Sequence, residues 1–316
     1  MLSRRIIRVK AMQVLFSSAI GKDISPVKLE QKLREYIKEA EHLYHVYLLY
    51  LVEICNYSLI HTAKQESKLL ENSRDENTST ALAENDVIRL IGNNKEFKDY
   101  IAFNKINDYI NPKIVKSLYE ILIKKDKYLD YIKIANKTKT NDIDMLRNII
   151  KKVMGASLEL EEDLAENFIN IEDDSYYALM SIQKTLKSFI KDADSVFLHK
   201  ILLLEDNSEI QVFANDIIEN YFEYEEDFED IIKPKLKNWD MDRIAVIDMV
   251  ILKMAICEFK CFASIPIKVT INEYVDIAKE YSTDKSKDFI NGILDKIMKF
   301  LKESGGIKKQ GRGLIN

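Results

Sequence analysis

The sequence predicts an all-α fold, and three observations support this. Only 8 glycines and 4 prolines occur in 316 residues, so turns are sparsely marked. Hydrophobic residues make up 47% of the chain, which is enough for one large domain or two smaller ones. Between the few helix-breaking residues, stretches rich in Leu, Ile, Lys and Glu carry apolar side chains three or four positions apart. That spacing places them on one face of a helix.

The opening segment, MLSRRIIRVKAMQVLFSSAIG, predicts a cationic amphipathic helix over residues 3–19 rather than an export signal. A secretory signal needs about 7–15 uninterrupted apolar residues, and Arg8, Lys10 and Gln13 interrupt this run. On a helix, Arg4, Arg5 and Arg8 share one side, beside apolar flanks. Because positive charge at a helix start opposes the helix dipole, we expect these arginines to face an external anion such as RNA phosphate.

The next element is a long helix that starts at Ser25 and Pro26 and continues to about Leu70. Its second half is apolar nearly all round, which predicts a central position in a bundle. Residues 43–60 still contain a histidine, a glutamate and an asparagine, and we expect no run near the ~20 residues of a membrane span. A polar loop follows at 72–80, and further breaks fall at 92–94, 111–112, 136–141, 155 and 172–174.

The last hundred residues predict a compact bundle of helices with short connections. The segments are 208–224, 225–239, 240–260, 264–281 and 282–303. Pro266 fits the first helical position of the fourth segment, because that position needs no backbone N–H donor. Gly292 lies inside the fifth, where glycine costs about 1 kcal/mol relative to alanine, so we expect a close helix approach there.

Charge is distributed unevenly along the chain. The net charge is −5, yet no acidic residue precedes Asp23, and the sequence after Asp295 is rich in lysine. Residues 201–232 carry many Asp and Glu residues and no Lys or Arg. This polarity suggests oriented partners rather than a uniformly acidic surface.

No catalytic constellation occurs in the sequence, so we expect no enzymatic activity, no cofactor and no small-molecule substrate. Neither a P-loop nor a dinucleotide-binding glycine pattern is present. Cys257 and Cys261 lie one helical turn apart without a second ligand pair, which favours two core residues over a metal site. The odd total of three cysteines is typical of a reducing compartment, and we expect a cytoplasmic protein without a membrane segment.

Several segments resemble the NusB family. Near the C-terminus these are NWDMDRIAVIDMVILKMAICEF, IPIKVTINEYVDIAKEY and SKDFINGILD. The order of proline, I-N-E, A-K and F-I-N-G-x-L-D at this spacing is specific to that family. The opening SRRIIRVKAMQVLF resembles the first helix of that family, which begins with clustered arginines and carries an embedded glutamine, here Gln13.

The resemblance implies an all-helical RNA-binding protein without catalytic activity. It implies a transcription antitermination factor that acts with ribosomal protein NusE on boxA RNA of ribosomal transcripts, within an RNA polymerase antitermination complex. The positions that match RNA-contacting or RNA-proximal residues of the family are Arg4, Arg5, Arg8, Phe16, Lys285, Lys287 and Phe289. Glu258 matches a position at the NusE interface, and Phe16 and Phe289 could equally be core residues.

The resemblance covers about residues 1–20 and 208–303, which implies a NusB-like helical bundle with a long helical insertion. We expect residues 1–21 and 208–304 to form the RNA-binding domain, 22–207 to form an insertion of unknown role, and 305–316 to form a basic flexible tail. If the family fold is retained, helix 3–19 packs on 209–232 across the insertion. The cost of closing such a long loop grows only logarithmically and can be offset by burial of large side chains.

Two other classes of function stay open at this point. One is a helical RNA-binding or scaffold module of ribosome or rRNA maturation without antitermination activity. The other is an enzyme with an accessory RNA-binding domain, but this chain lacks any recognisable catalytic half.

Overall fold

The computed structural model describes residues 4–21, 25–67, 77–189, 208–236 and 244–314. Within these ranges the chain forms helices and no strands, which confirms the predicted all-α class. The α-helices are α1 (Arg4–Gly21), α2 (Pro26–Glu66), α3 (Asp86–Asn93), α4 (Lys95–Phe103), α5 (Pro112–Leu122), α6 (Asp126–Lys133), α7 (Lys139–Lys152), α8 (Leu158–Ala165), α9 (Ile171–Ser188), α10 (Ser208–Glu223), α11 (Glu225–Ile232), α12 (Val246–Cys261), α13 (Ile267–Tyr281) and α14 (Ser286–Glu303).

The chain divides into two compact units. The internal unit takes its described residues from Lys38–Asp206, and the terminal unit takes its own from Ser3–Ile37 and Asn207–Asn316. This division differs from the predicted boundaries, because the start of α2 belongs to the terminal unit rather than to the insertion.

Helices α4, α5 and α7 start at predicted breaks, whereas the predicted break at 172–174 lies inside α9. Asn94 and Asn111 accept hydrogen bonds from backbone N–H groups at the starts of α4 and α5. Thr138 and Asn141 form a reciprocal capping box at the start of α7. The acidic run at 172–174 begins α9, where negative charge complements the positive end of the helix dipole.

Helix α2 forms the centre of the internal unit. Leu48, Tyr50 and Leu51 are completely buried in a continuous core with residues of α3 to α9. By length and composition alone α2, which contains residues 43–60, could cross a membrane. However, 72% of its most apolar window is buried inside the structure, as is usual for a core helix.

A buried histidine lies within this core. The His45 ring stacks on Tyr100 with 3.7 Å between centroids, and its Nδ1 atom lies 2.7 Å from the carbonyl oxygen of Glu41. Burial lowers the pKa of His45 to about 3. The imidazole is therefore neutral at physiological pH.

The terminal unit is built around α12, which is buried on nearly all sides because most of its residues are apolar. Helices α1, α10, α11, α13 and α14 all contact α12. Pro266 is the residue before α13 rather than its first residue, which shifts that predicted boundary by one position. The prediction of a close approach at Gly292 is wrong among the described residues, since none of them places a neighbouring atom within 4 Å of the position that an alanine Cβ would occupy there.

Residues 304–314, which we call the C-terminal strap, pack against the end of α12. Lys309 Nζ donates to the carbonyl oxygens of Glu258 at 3.0 Å and Phe262 at 2.9 Å. The Gln310 N–H donates to the carbonyl oxygen of Ala263 at 3.0 Å. Through these bonds the strap adds donors to carbonyl groups at and just beyond the end of α12. They hold Lys309 and Gln310 on the end of α12, and the predicted flexible tail at 305–316 stays a prediction.

Candidate nucleic-acid interface

Helix α1 joins the two ends of the sequence. Ile7, Val9 and Leu15 are buried, and α1 contacts both α10 and α12. The predicted packing of the first helix on the segment after residue 208 is confirmed at the level of these helices. Phe213 of α10 lies beneath the arginines, with its ring centre 5.4 Å from Cζ of Arg4 and 5.3 Å from Cζ of Arg8. Such cation–π contacts fix the direction of the guanidinium groups.

Arg8 forms a buried two-point ion pair with Glu258 of α12. Arg8 Nε donates to Oε2 at 2.7 Å and Nη2 donates to Oε1 at 2.9 Å. The Arg8 side chain is 3% exposed and that of Glu258 is 0% exposed. Burial acts to lower the Arg8 pKa, but the charge and hydrogen bonds of Glu258 outweigh burial and raise this pKa above its ordinary value. Arg8 is therefore a fixed cation that faces the protein interior.

Two hydroxyl groups of α13 complete the surroundings of the Glu258 carboxylate. Thr270 Oγ1 donates to Glu258 Oε1 at 2.6 Å, and the Tyr274 hydroxyl donates to Oε2 at 3.4 Å. Burial and the neighbouring Glu258 charge raise the pKa of Tyr274 well above its ordinary value. Glu258 therefore joins α1, α12 and α13 through one carboxylate, and its side chain does not reach the surface. Its predicted place at the NusE interface stays a prediction.

Arg5 and Arg4 lie closer to solvent than Arg8. Arg5 Nη2 donates to Glu280 Oε2 at 3.0 Å, and Arg5 Nη1 lies 3.5 Å from Asp276 Oδ2 and 3.7 Å from Glu273 Oε2. The Arg5 side chain is 26% exposed, and Arg4 is exposed. Carboxylates of α12 and α13 therefore supply an opposite charge to Arg5 and Arg8 within the protein, and the predicted contact of these arginines with RNA stays a prediction.

The acidic side of α13 was not predicted from the sequence. The spacing of Glu273, Asp276 and Glu280 was a usable signal, since positions three and four apart share one helix face. Their partner Arg5 lies at the other end of the chain, with a sequence separation of 275 from Glu280. Nothing local in the sequence indicates which cation such a face will meet.

Three of the predicted RNA residues lie on another part of the terminal unit, at the start of α14. Lys285 and Lys287 are exposed at the start of α14, whereas Phe289 is only 9% exposed. Ser286 Oγ between the lysines donates to Asp248 Oδ2 at 2.8 Å, which ties this place to the start of α12.

The arginines of α1 and the lysines of α14 are thus held at opposite ends of α12. Asp248 and Glu258 are ten residues apart on that helix, a separation of about 15 Å along its axis. Phe16 is half-buried on α1, so part of its ring is accessible. The structure does not bring the predicted residues into one cluster, but it places Arg4, Lys285 and Lys287 on accessible surface.

The cysteines and histidines carry no site in the part of the chain that the structure describes. No group of three or more His, Cys, Asp or Glu side chains there could hold a metal ion. Cys257 is buried and Cys261 is half-buried beside it on α12. His199, which the sequence places nearest to a possible cysteine site, lies outside the described residues.

Comparison with known proteins gives one consistent family. A model described as the NusB family matches residues 174–299, a range that begins within α9 and does not include α1. A protein of Salinibacter ruber named transcription antitermination protein NusB is 38% identical over 112 residues, which cover 35% of this chain and 70% of that relative.

Two further relatives carry the same name. The Chloroherpeton thalassium protein is 41% identical over 102 residues, covering 32% of this chain and 46% of the relative. The Finegoldia magna protein is 45% identical over 87 residues, covering 28% of this chain and 64% of the relative. This chain thus spans less than two thirds of either protein. A solved structure of T. maritima NusB is 33% identical, with 37% of this chain and 84% of that chain covered and a TM-score of 0.29.

Proposed function

The chain belongs to the NusB family, and on this basis we propose that it is an RNA-binding transcription antitermination factor. We propose that it acts with ribosomal protein NusE on boxA-type RNA of ribosomal transcripts, as part of an RNA polymerase antitermination complex. The names of its relatives support this role. They describe transcription proteins rather than enzymes, in agreement with the predicted lack of catalytic activity.

The observation that carries the proposal is the fixed cationic start of α1. Arg4 presents an exposed guanidinium, while the buried pair of Arg8 and Glu258 holds the first turns of α1 on α12. A cation held in place loses less side-chain entropy when it binds a phosphate than a freely moving one. Arg4 is therefore the best placed of the three arginines for RNA contact.

The other candidate residues differ in how directly they can contact RNA. Lys285 and Lys287 can contact phosphates at the start of α14, and the accessible part of Phe16 can stack on a base. Arg5 can contact RNA by exchanging one of its carboxylate partners for a phosphate. Arg8 and Phe289 support the surface from within, because both are largely buried.

Binding of fluorescently labelled boxA RNA, followed by anisotropy over a range of salt concentrations, tests this function with and without NusE. We expect Arg4→Ala, and separately Lys285→Ala with Lys287→Ala, to weaken binding. The slope of log affinity against log salt should fall by about 0.7 for each phosphate of single-stranded RNA that the variant no longer neutralises. The matched control is Lys116→Ala, which removes an exposed lysine from α5 in the internal unit.

Two results would count against the proposal. Equal affinities and salt slopes in all variants would remove these residues from RNA binding. Normal RNA binding without any effect on readthrough in a transcription termination assay would instead favour a module of ribosome or rRNA maturation.

A further inference from the structure

The internal unit contains a cavity of about 410 Å³ between α2, α3 and α4. Its lining mixes polar side chains with apolar ones, among them Leu49 of α2 and Phe97 and Ile101 of α4, which are 6%, 1% and 8% exposed. A volume of this order is typical of sites for small molecules, in which apolar walls surround a few polar groups. None of the residues assigned to RNA binding lies in this cavity.

A single carboxylate from α2 lines the cavity. Glu53 is half-buried, and within the described ranges its carboxylate forms no ion pair or hydrogen bond. Burial raises the pKa of Glu53 above its ordinary value. A half-buried carboxylate that has no partner in the protein can form a charge-assisted hydrogen bond with a cationic ligand group. Groups of this kind in a cavity are candidates for ligand binding.

Two cations line the same cavity without neutralising Glu53. Arg89 Nε donates to the carbonyl oxygen of Ala83 at 3.2 Å, and Lys98 Nζ donates to Asn93 Oδ1 at 3.2 Å. Both side chains are exposed, and in the described part of the chain neither forms an ion pair with a carboxylate. The cavity therefore offers separate negative and positive groups within a mixed polar and apolar lining from α2, α3 and α4.

We propose that this cavity binds a small zwitterion with an apolar body, of the size of a dipeptide of apolar residues. Its ammonium group would meet Glu53, and its carboxylate would meet Arg89 and Lys98. Its apolar side chains would contact the accessible parts of Leu49 and Ile101. Because the opposite charges of the cavity are not in contact, the ligand needs separated ends, which a dipeptide provides better than a single amino acid. A polyamine would instead bring positive charge onto Arg89 and Lys98.

Calorimetric titration of the full chain with three forms of Leu-Leu tests each end of the ligand. These are the free dipeptide, the N-acetyl form without the ammonium charge, and the C-terminal amide without the carboxylate. We expect the free dipeptide to bind, and each blocked form to bind roughly tenfold or more weakly, because each loses a charge-assisted contact. In Glu53→Gln, acetylation should cause no further loss, since the partner of the ammonium is already gone.

Glu120→Gln serves as the matched control, because Glu120 is an exposed glutamate on α5 outside the cavity. Its affinities for all three ligands should equal those of the unchanged chain. The comparison of free and acetylated dipeptide needs no substitution, so it stays valid even if Glu53→Gln perturbs folding. The proposal is overturned if the free dipeptide does not bind at millimolar concentration, or if acetylation leaves its affinity unchanged. Tighter binding of spermidine or guanosine monophosphate, lost in Glu53→Gln, would also overturn it by assigning the cavity to another class of ligand.

Discussion

Replacement of Glu258 by alanine should destabilise the terminal unit by about 3–5 kcal/mol, because it removes both hydrogen bonds of the buried Arg8 charge and leaves that charge only a 3.6 Å contact with Glu273. The Arg8 guanidinium is 3% exposed, so water cannot replace the two hydrogen bonds at 2.7 and 2.9 Å. The Tyr274 hydroxyl would lose an acceptor as well. The double variant Arg8→Met with Glu258→Leu should recover much of the loss, since two apolar side chains replace two opposite charges.

Hydrogen exchange measured by mass spectrometry on α12 peptides tests this prediction within the terminal unit alone. A loss of 3–5 kcal/mol corresponds to exchange that is roughly 100- to 5,000-fold faster in the single variant. The control is Glu120→Ala, which breaks an exposed pair with Lys116 at 3.6 Å and should cost less than about 1 kcal/mol. The reasoning is refuted if Glu258→Ala accelerates exchange less than about tenfold, which is the effect expected from loss of an exposed ion pair.

Three further predictions concern single positions. Burial in the folded state lowers the His45 pKa to about 3, so below about pH 6.5 the unfolded chain binds a proton at His45 that the folded chain does not. The neutral His45 therefore contributes stability above about pH 6.5, and this contribution is lost as the pH falls towards 3. Relative to His45→Phe, the unchanged chain should lose about 2 kcal/mol between pH 7.5 and 5, and parallel pH profiles in urea unfolding would contradict this. Gly292→Ala should raise stability in urea by about 0.5–1 kcal/mol, because it restricts the unfolded chain and its Cβ has open space; a loss of stability would contradict the open space. Gly313→Ala should displace the C-terminal strap, since a Cβ there overlaps the carbonyl oxygen of Ala263, and the Gln310 amide should then exchange faster. Gly21→Ala, whose Cβ lies more than 4 Å from every described neighbour, should leave this exchange unchanged.

Local sequence patterns were sufficient to predict most helices and their starts. Short sequence signals, such as Asn111 before Pro112 and Thr138 ahead of Asn141, cap a helix start through hydrogen bonds within one turn. The apolar periodicity of residues 4–21 predicted that α1 has a face to bury. The family resemblance then predicted which later segment covers that face.

The partners of the arginines could not be predicted in the same way. Which acid meets Arg8 depends on packing across a sequence separation of 250 residues, and no local rule selects Glu258. An isolated helix with arginines at its start would need an external anion, but in this fold other helices bring carboxylates to the same place. The error at Gly292 has a similar origin, because a glycine inside a helix does not by itself reveal whether a neighbour is close.

The separation between α1 and its partners also has a consequence during synthesis on the ribosome. After Arg8 is made, the ribosome adds 250 residues before Glu258 exists, which takes about 12–50 s at 5–20 residues per second. The internal unit has its own core and can fold within this interval. Ile7, Val9 and Leu15 have no α12 to cover them until the last part of the chain emerges. Nascent α1 is therefore the segment whose apolar face stays uncovered for the longest time, during which a chaperone can bind it.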